Sequence, residues 1–137
     1  MRKQKGFTLI ELLVVIAIIG LLSTLAVVSL GNARLKSRDA RRVSDIKQIQ
    51  TALELYYNDV GGYPAAVASG STITGPSTTG TTVYMAAVPS NPTPNGATYG
   101  YTMTSGSTYA LTYTLEGASG GIATGAHTAT PAGIANP

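Results

Sequence analysis

The sequence predicts an α+β protein, a long N-terminal helix over about residues 7–59 with a small antiparallel β-sheet packed on its distal half. Three observations carry this. No Pro interrupts the chain between Phe7 and Tyr63, and Leu12 to Leu30 is uncharged. After that, apolar residues return at helical steps, at Val43, Ile46, Ile49, Leu53, Tyr56 or Tyr57, and Val60. Farther on, Tyr99, Tyr101 and Met103, then Tyr109, Leu111, Tyr113 and Leu115, alternate with small and hydroxyl residues in the two-residue period of a strand.

The helix has two halves of different character. Leu12–Leu30 is apolar nearly all round and spans roughly 28 Å at 1.5 Å per residue, the thickness of a bilayer core. A cleaved secretory signal and a retained anchor both fit such a stretch. Glu11 at its start and the lack of a small-x-small cleavage site after it favour the anchor. Ala33–Asp59 is polar with one apolar stripe. Gly20, Ser23, Thr24, Ser29 and Gly31 weaken the middle, where a bend or local melt is expected. Gly61-Gly62 ends the helix and Pro64 prevents its resumption.

Residues 65–82 are mostly small and polar and read as a loop. Val83–Val88 is a short apolar patch, and Pro89-Ser90-Asn91-Pro92 is a turn. Thr98–Thr104 and Thr108–Leu115, joined by Ser105-Gly106-Ser107, read as a hairpin with one apolar face and one Thr face. The apolar face is expected on the Val43–Leu53 stripe. Residues 117–137 are expected to hold one more edge strand or a loose tail.

Charge narrows the function. The chain of 137 residues has nine bases against six acids, with a pI near 9.3. Three of the bases, Arg2, Lys3 and Lys5, precede Gly6, so loss of that leader balances the signs. Low net charge suits a subunit that packs against its own copies. Without Cys there is no disulfide framework, thiol catalysis or Cys-ligated metal. No nucleophile–base–acid set assembles, so the chain reads as a non-enzyme without cofactor or metal. His127 stands apart from any ligand cluster, and Glu116, the one acid beyond Gly61, is too few for a calcium site.

Glu11 is the most informative residue. An ionisable group at membrane depth costs about 2.5–3.5 kcal/mol even on lenient scales, which marks it as a functional position. The basic run Arg34, Lys36, Arg38, Arg41 and Arg42 is expected at lipid headgroups, pairing later with Asp45, Glu54 and Asp59 in an assembly. Nucleic-acid contact there is the weaker reading, because no aromatics are interleaved. The run also conflicts with the positive-inside rule if it lies outside the cell. The Tyr set Tyr84, Tyr99, Tyr101, Tyr109 and Tyr113 reads as core. Thr78-Thr79 and Thr81-Thr82 are candidate sugar acceptors.

Lys5-Gly6-Phe7-Thr8-Leu9-Ile10-Glu11, followed by an apolar helix, resembles the prepilin-type signal of type IV pilins and pseudopilins over about residues 1–30. Leu55-Tyr56-Tyr57-Asn58-Asp59 and Gly62-Tyr63-Pro64 resemble the end of the long helix in pseudopilins and some pilins. The resemblance implies cleavage between Gly6 and Phe7 by a prepilin peptidase and N-methylation of the new Phe7 amine. It implies a leader over 1–6, a transmembrane and filament-core half over 7–31, an amphipathic half over 32–60 and a β domain over 61–137. The implied partners are further copies in a helical homopolymer, the peptidase, an assembly platform with its motor ATPase, and the cytoplasmic membrane. The subunit would sit there as a single pass with its N-terminus inside, and later in a surface filament. Two departures stand out: Val28 occupies the place of a frequent mid-helix Pro, and the family's common C-terminal disulfide is absent.

After cleavage, Phe7 would carry an ammonium and Glu11 a carboxylate. Each alone is an unpaired charge in an apolar setting, and together they neutralise, within a subunit or across to the next. A head-to-tail contact that does not close yields an open filament. A pilus subunit is preferred to a pseudopilin of a secretion or DNA-uptake system because the Thr/Ser/Gly-rich distal part suits an exposed coat. The contrasting reading is a monomeric membrane-tethered binding module.

Overall fold

The computed structural model describes residues 6–77, 80–94 and 98–135. Residues 1–5 of the expected leader (1–6) and the sugar-acceptor pair Thr78-Thr79 lie outside them. Helix α1 (Leu9–Val60) runs unbroken for 52 residues. The local melt expected in its middle does not occur, since residues 20–31 are helical throughout. Ser23 Oγ donates to the Ile19 carbonyl at 2.7 Å and Thr24 Oγ1 to the Leu21 carbonyl at 2.8 Å, so both hydroxyls are satisfied within the helix. Gly61 ends α1 at φ 79°, its N–H donating to the Tyr57 carbonyl at 2.8 Å. That left-handed turn carries little strain only in glycine.

The chain divides into two units, Met1–Arg34 and Leu35–Pro137. The described part of the first is helix beyond Thr8, with its side chains exposed. The second contains two antiparallel sheets. Strands β1 (Ile73–Ser77) and β2 (Gly80–Met85) form a hairpin. Strands β3 (Gly100–Ser105), β4 (Thr108–Leu115), β5 (Gly125–Thr130) and β6 (Gly133–Ala135) form a four-stranded meander in that order.

The core of this unit joins helix to meander. Val43, Ile46, Ile49, Ala52 and Leu53 of α1 are buried in one cluster with Tyr109, Leu111, Tyr113 and Leu115 of β4 and Ala129 of β5. The alternation in β4 does what the sequence predicts, burying one face and exposing Thr108, Thr112 and Thr114 on the other. Tyr99, Tyr109 and Tyr113 are buried while Tyr84 and Tyr101 are half-buried, so the Tyr set is core.

Two expectations need correction. The stretch expected to be a loop over 65–82 contains β1 and the start of β2. Its composition hides this, because small residues are required by tertiary contact. A Cβ at Gly75 would come within 2.8 Å of the Tyr56 ring, 3.0 Å of Val60 and 3.1 Å of Tyr84. The region beyond Gly117 holds two strands instead of one strand or a loose tail. In β5, Ala129 is fully buried and paired with Leu111, so a larger side chain has no room.

Gly75→Ala is therefore expected to cost about 1–3 kcal/mol through overpacking. Hydrogen exchange on the detergent-solubilised chain should show protection lost first at the amides of β1 and β2, with β4 less affected.

Candidate functional site

Gly6 and Phe7 lie just outside the helix, and Phe7 is 89% exposed. Thr8 is the N-cap of α1. Its hydroxyl accepts from the Glu11 N–H at 3.3 Å, and the Glu11 carboxylate accepts from the Thr8 N–H at 2.9 Å and from its hydroxyl at 2.6 Å. This reciprocal arrangement is a capping box, which satisfies two otherwise unpaired N–H groups. The carboxylate also lies at the positive end of the helix dipole. The sequence signal was present as Thr-x-x-Glu just before an apolar run, and the reading of Glu11 as a bare acid missed it.

With residue 6 attached, the nitrogen of Phe7 is an uncharged amide, so it offers Glu11 no ammonium partner. Beyond the cap, the large apolar side chains from Leu9 to Leu30 are between 48% and 80% exposed. The most apolar window of this helix has a mean hydropathy of 2.8, and none of it is buried. By length and composition the helix is able to cross a membrane.

A second constellation sits within the Leu35–Pro137 unit, and it corrects the reading of the basic run. Arg42 is fully buried. Its Nη1 donates to Asp39 Oδ1 at 2.6 Å and lies 2.6 Å from Glu116 Oε1. Its Nε donates to Asn91 Oδ1 at 2.7 Å and its Nη2 to the Pro92 carbonyl at 3.0 Å. Arg38 grips Glu116 with two bonds, from Nε at 2.9 Å and from Nη2 at 2.6 Å. Asp39 also accepts from the backbone N–H of Glu116 at 3.1 Å and of Gly117 at 2.7 Å. Every nitrogen of the Arg42 guanidinium thus finds an oxygen, the condition under which a buried charge is tolerated. Arg38 and Arg42 pair within this unit with the one acid beyond Gly61, where the sequence reading put the whole basic run at lipid headgroups. The isolation of Glu116 in an acid-free stretch was the signal that could have revealed this.

The acids expected to meet those bases also have local partners. The hydroxyl of Tyr99 donates to Asp45 at 2.9 Å, that of Tyr63 to Glu54 at 2.8 Å, and that of Tyr84 to Asp59 at 2.9 Å. Each bond fastens the region after α1 to the helix. Burial and the adjacent carboxylate push the Tyr63 and Tyr99 hydroxyls well above their usual range. His127 is buried against the Tyr113 ring, with Nε2 2.8 Å from the Ala123 carbonyl.

Comparison with known proteins places the N-terminus. Residues 1–27 match the model of the prokaryotic N-terminal methylation motif. The prepilin-type reading of Lys5–Glu11 is thereby borne out. The chain is 43% identical over 63 residues to the type II secretion system core protein G of Aeromonas hydrophila, a match covering 46% of this chain and 44% of that one. The core protein G of Escherichia coli K12 is 45% identical over 62 residues, covering 45% and 43%. A fimbrial protein of Pseudomonas aeruginosa is 43% identical over 54 residues, covering 39% and 35%. The chain thus spans less than half the length of these relatives. No solved structure matches it.

Two outcomes test the buried constellation. Asp39→Ala strips Arg42 of one carboxylate and two backbone N–H groups of their acceptor, and should cost about 3–5 kcal/mol in chemical denaturation followed by tyrosine near-UV circular dichroism. Glu116 is held down at about 2 by its hydrogen bonds from Arg38 and then Arg42. A depressed folded-state pKa gives stability that is complete above the unfolded carboxylate value, about 4.3, and is lost as pH falls through about 2. Thermal midpoints should fall across that window in the native chain, and fall less steeply in Glu116→Gln.

Proposed function

We propose that this chain is the precursor of a pilus-like filament subunit. The observation that carries the reading is the methylation motif over residues 1–27 continuing into a helix whose apolar half is wholly uncovered. Residues 1–6 act as a leader, removed by a prepilin peptidase between Gly6 and Phe7, after which the Phe7 amine is methylated. The non-helical Gly6–Phe7 segment supports this, because a protease needs close access to the backbone and glycine leaves it open. Before assembly the apolar half parks the subunit in the cytoplasmic membrane with its N-terminus inside. An assembly platform with its motor then transfers the subunit into the filament, where copies of that half cover one another. Burial there contributes roughly 25 cal/mol per Å² of apolar surface. The role is structural and requires no cofactor.

Cleavage changes the electrostatics of the capping box. It creates an ammonium at Phe7, four residues before a carboxylate that Thr8 already holds in place. Glu11 then has a cationic partner on its own subunit or on the next, and its neutralisation accompanies packing. A second reading is the pseudopilin of a type II secretion system, and the likeness to core protein G of Aeromonas hydrophila and Escherichia coli supports it. In both readings the N-terminal helix is the polymerising element.

Intact mass and N-terminal sequencing of the native protein should give a chain beginning at N-methylated Phe7. Retention of the leader would overturn the reading. Glu11→Ala should insert into membranes as the native chain does, while filament yield falls by about tenfold or more. Undiminished filaments would remove the pairing role from Glu11.

A further inference from the structure

Among the described residues, the outermost strands are β1 and β2 in the hairpin and β3 and β6 in the meander. The outer edge of such a strand offers backbone N–H and C=O groups to any extended chain, and proteins block it with proline, a bulge or a very short strand. β6 has three residues, β3 has a register shift between Met103 and Ser105, and β1 carries Pro76. β2 differs. Its run Gly80–Val83 keeps a regular register and contains neither proline nor charge, and the hairpin's own shift falls beyond Val83.

Pro76 also fixes which groups β2 turns outward. Proline has no N–H for the ladder, so Pro76 and Thr81 are a pair without ladder bonds. By alternation Gly75 and Thr82 exchange both bonds, and Thr74 and Val83 none. The N–H and C=O of Thr81 and Val83 therefore point away from β1. Among the described residues, no backbone hydrogen bond from another element reaches either. The side chains follow the same alternation. Gly75 faces Tyr56 and Val60 of α1, while Thr74, Pro76, Thr81 and Val83 are exposed on the opposite face.

We propose that the β2 edge pairs antiparallel with the β2 edge of a second copy, joining two hairpins into one continuous sheet. The two-fold axis passes at Thr82. Thr81 then exchanges both backbone bonds with the partner's Val83, and Val83 with the partner's Thr81. The segment suits a copy of itself because its outward groups are symmetric about Thr82. It also carries no charge between Gly80 and Met85 that would repel its like. Such an isologous contact closes on two copies. It is therefore distinct from a head-to-tail contact that builds a filament, and it joins one filament to another side by side. Many repeats along two filaments make a weak pairing effective. That consequence rests on the filament reading above, whereas the pairing itself does not.

A single cysteine tests the register, because the chain has none of its own and any disulfide must join two copies. Across the axis the two Thr82 positions face each other without ladder bonds, about 4.5 Å apart at Cα, within disulfide reach. Under mild oxidation, the full chain in detergent should give several-fold more disulfide dimer as Thr82→Cys than as Thr74→Cys. The latter places its thiol on β1 of the same hairpin, at the more exposed position. Adding Thr81→Pro, which removes an outward N–H and spares the hairpin ladder, should abolish the excess. Val83→Lys, which sets like charges across the axis, should do the same. Where filaments form, Thr81→Pro and Val83→Lys should keep native filament yield and lose the side-by-side bundles seen by electron microscopy. Near-UV circular dichroism on each variant reports the fold. Equal dimer from Thr82→Cys and Thr74→Cys overturns the pairing, as does an excess that survives both blocking changes. A chain that forms no filament while Thr82→Cys still dimerises overturns the filament reading and leaves the edge pairing standing.

Discussion

An apolar helix surface with nothing to cover it is the constraint on which the rest of this structure depends. Phe7 is 89% exposed, and even Val15, among the most shielded of the N-terminal apolar residues, is 48% exposed. Monomeric proteins in water do not leave so long an apolar face open. The backbone of this segment is satisfied internally, as hydrocarbon surroundings require. The segment is therefore stable in lipid or against copies of itself, and a filament subunit uses both environments in turn. The capping box at Thr8 and Glu11 fits the same demand. It closes the first turn with the helix's own groups, so the one acid in the segment brings its hydrogen-bond donors with it.

The other half of α1 solves a different problem. It must hold a small sheet whose strands are rich in Thr, Ser, Gly and Ala and short of large apolar residues. The core at Ile46, Ile49 and Leu53 supplies part of the attachment. Polar groups supply the rest, with Arg42 buried between Asp39 and Glu116 and with tyrosine hydroxyls on Asp45, Glu54 and Asp59. The polar side of α1 thus serves the interior, and only some of its charges remain for contacts outside.

The elements legible in the sequence were those governed by a period. The long helix and the β3–β4 hairpin follow from three- and four-residue steps and from strict alternation. The β1–β2 hairpin and strands β5 and β6 were not legible, because close contact selects small residues such as Gly75 and Ala129 there, and these carry weak strand propensity of their own. At the N-terminus, Gly6, Phe7 and Glu11 stood out by type and spacing, whereas Thr8 looked ordinary until its hydroxyl was seen on the helix end. The Glu116 clamp joins positions far apart in sequence, so the isolation of that acid was legible while its partners Arg38 and Arg42 were not. The basic run looked uniform in sequence and is divided by the fold into buried and exposed members.

Helical reconstruction of filaments from sheared cell-surface material tests the central claim most directly. The account predicts a filament core built from the Phe7–Leu30 segments of neighbouring subunits, each beginning at a methylated Phe7, with the sheets on the outside. A surface protein recovered only as a monomer with residues 1–6 still attached, or a filament whose core is not this helix, would contradict it.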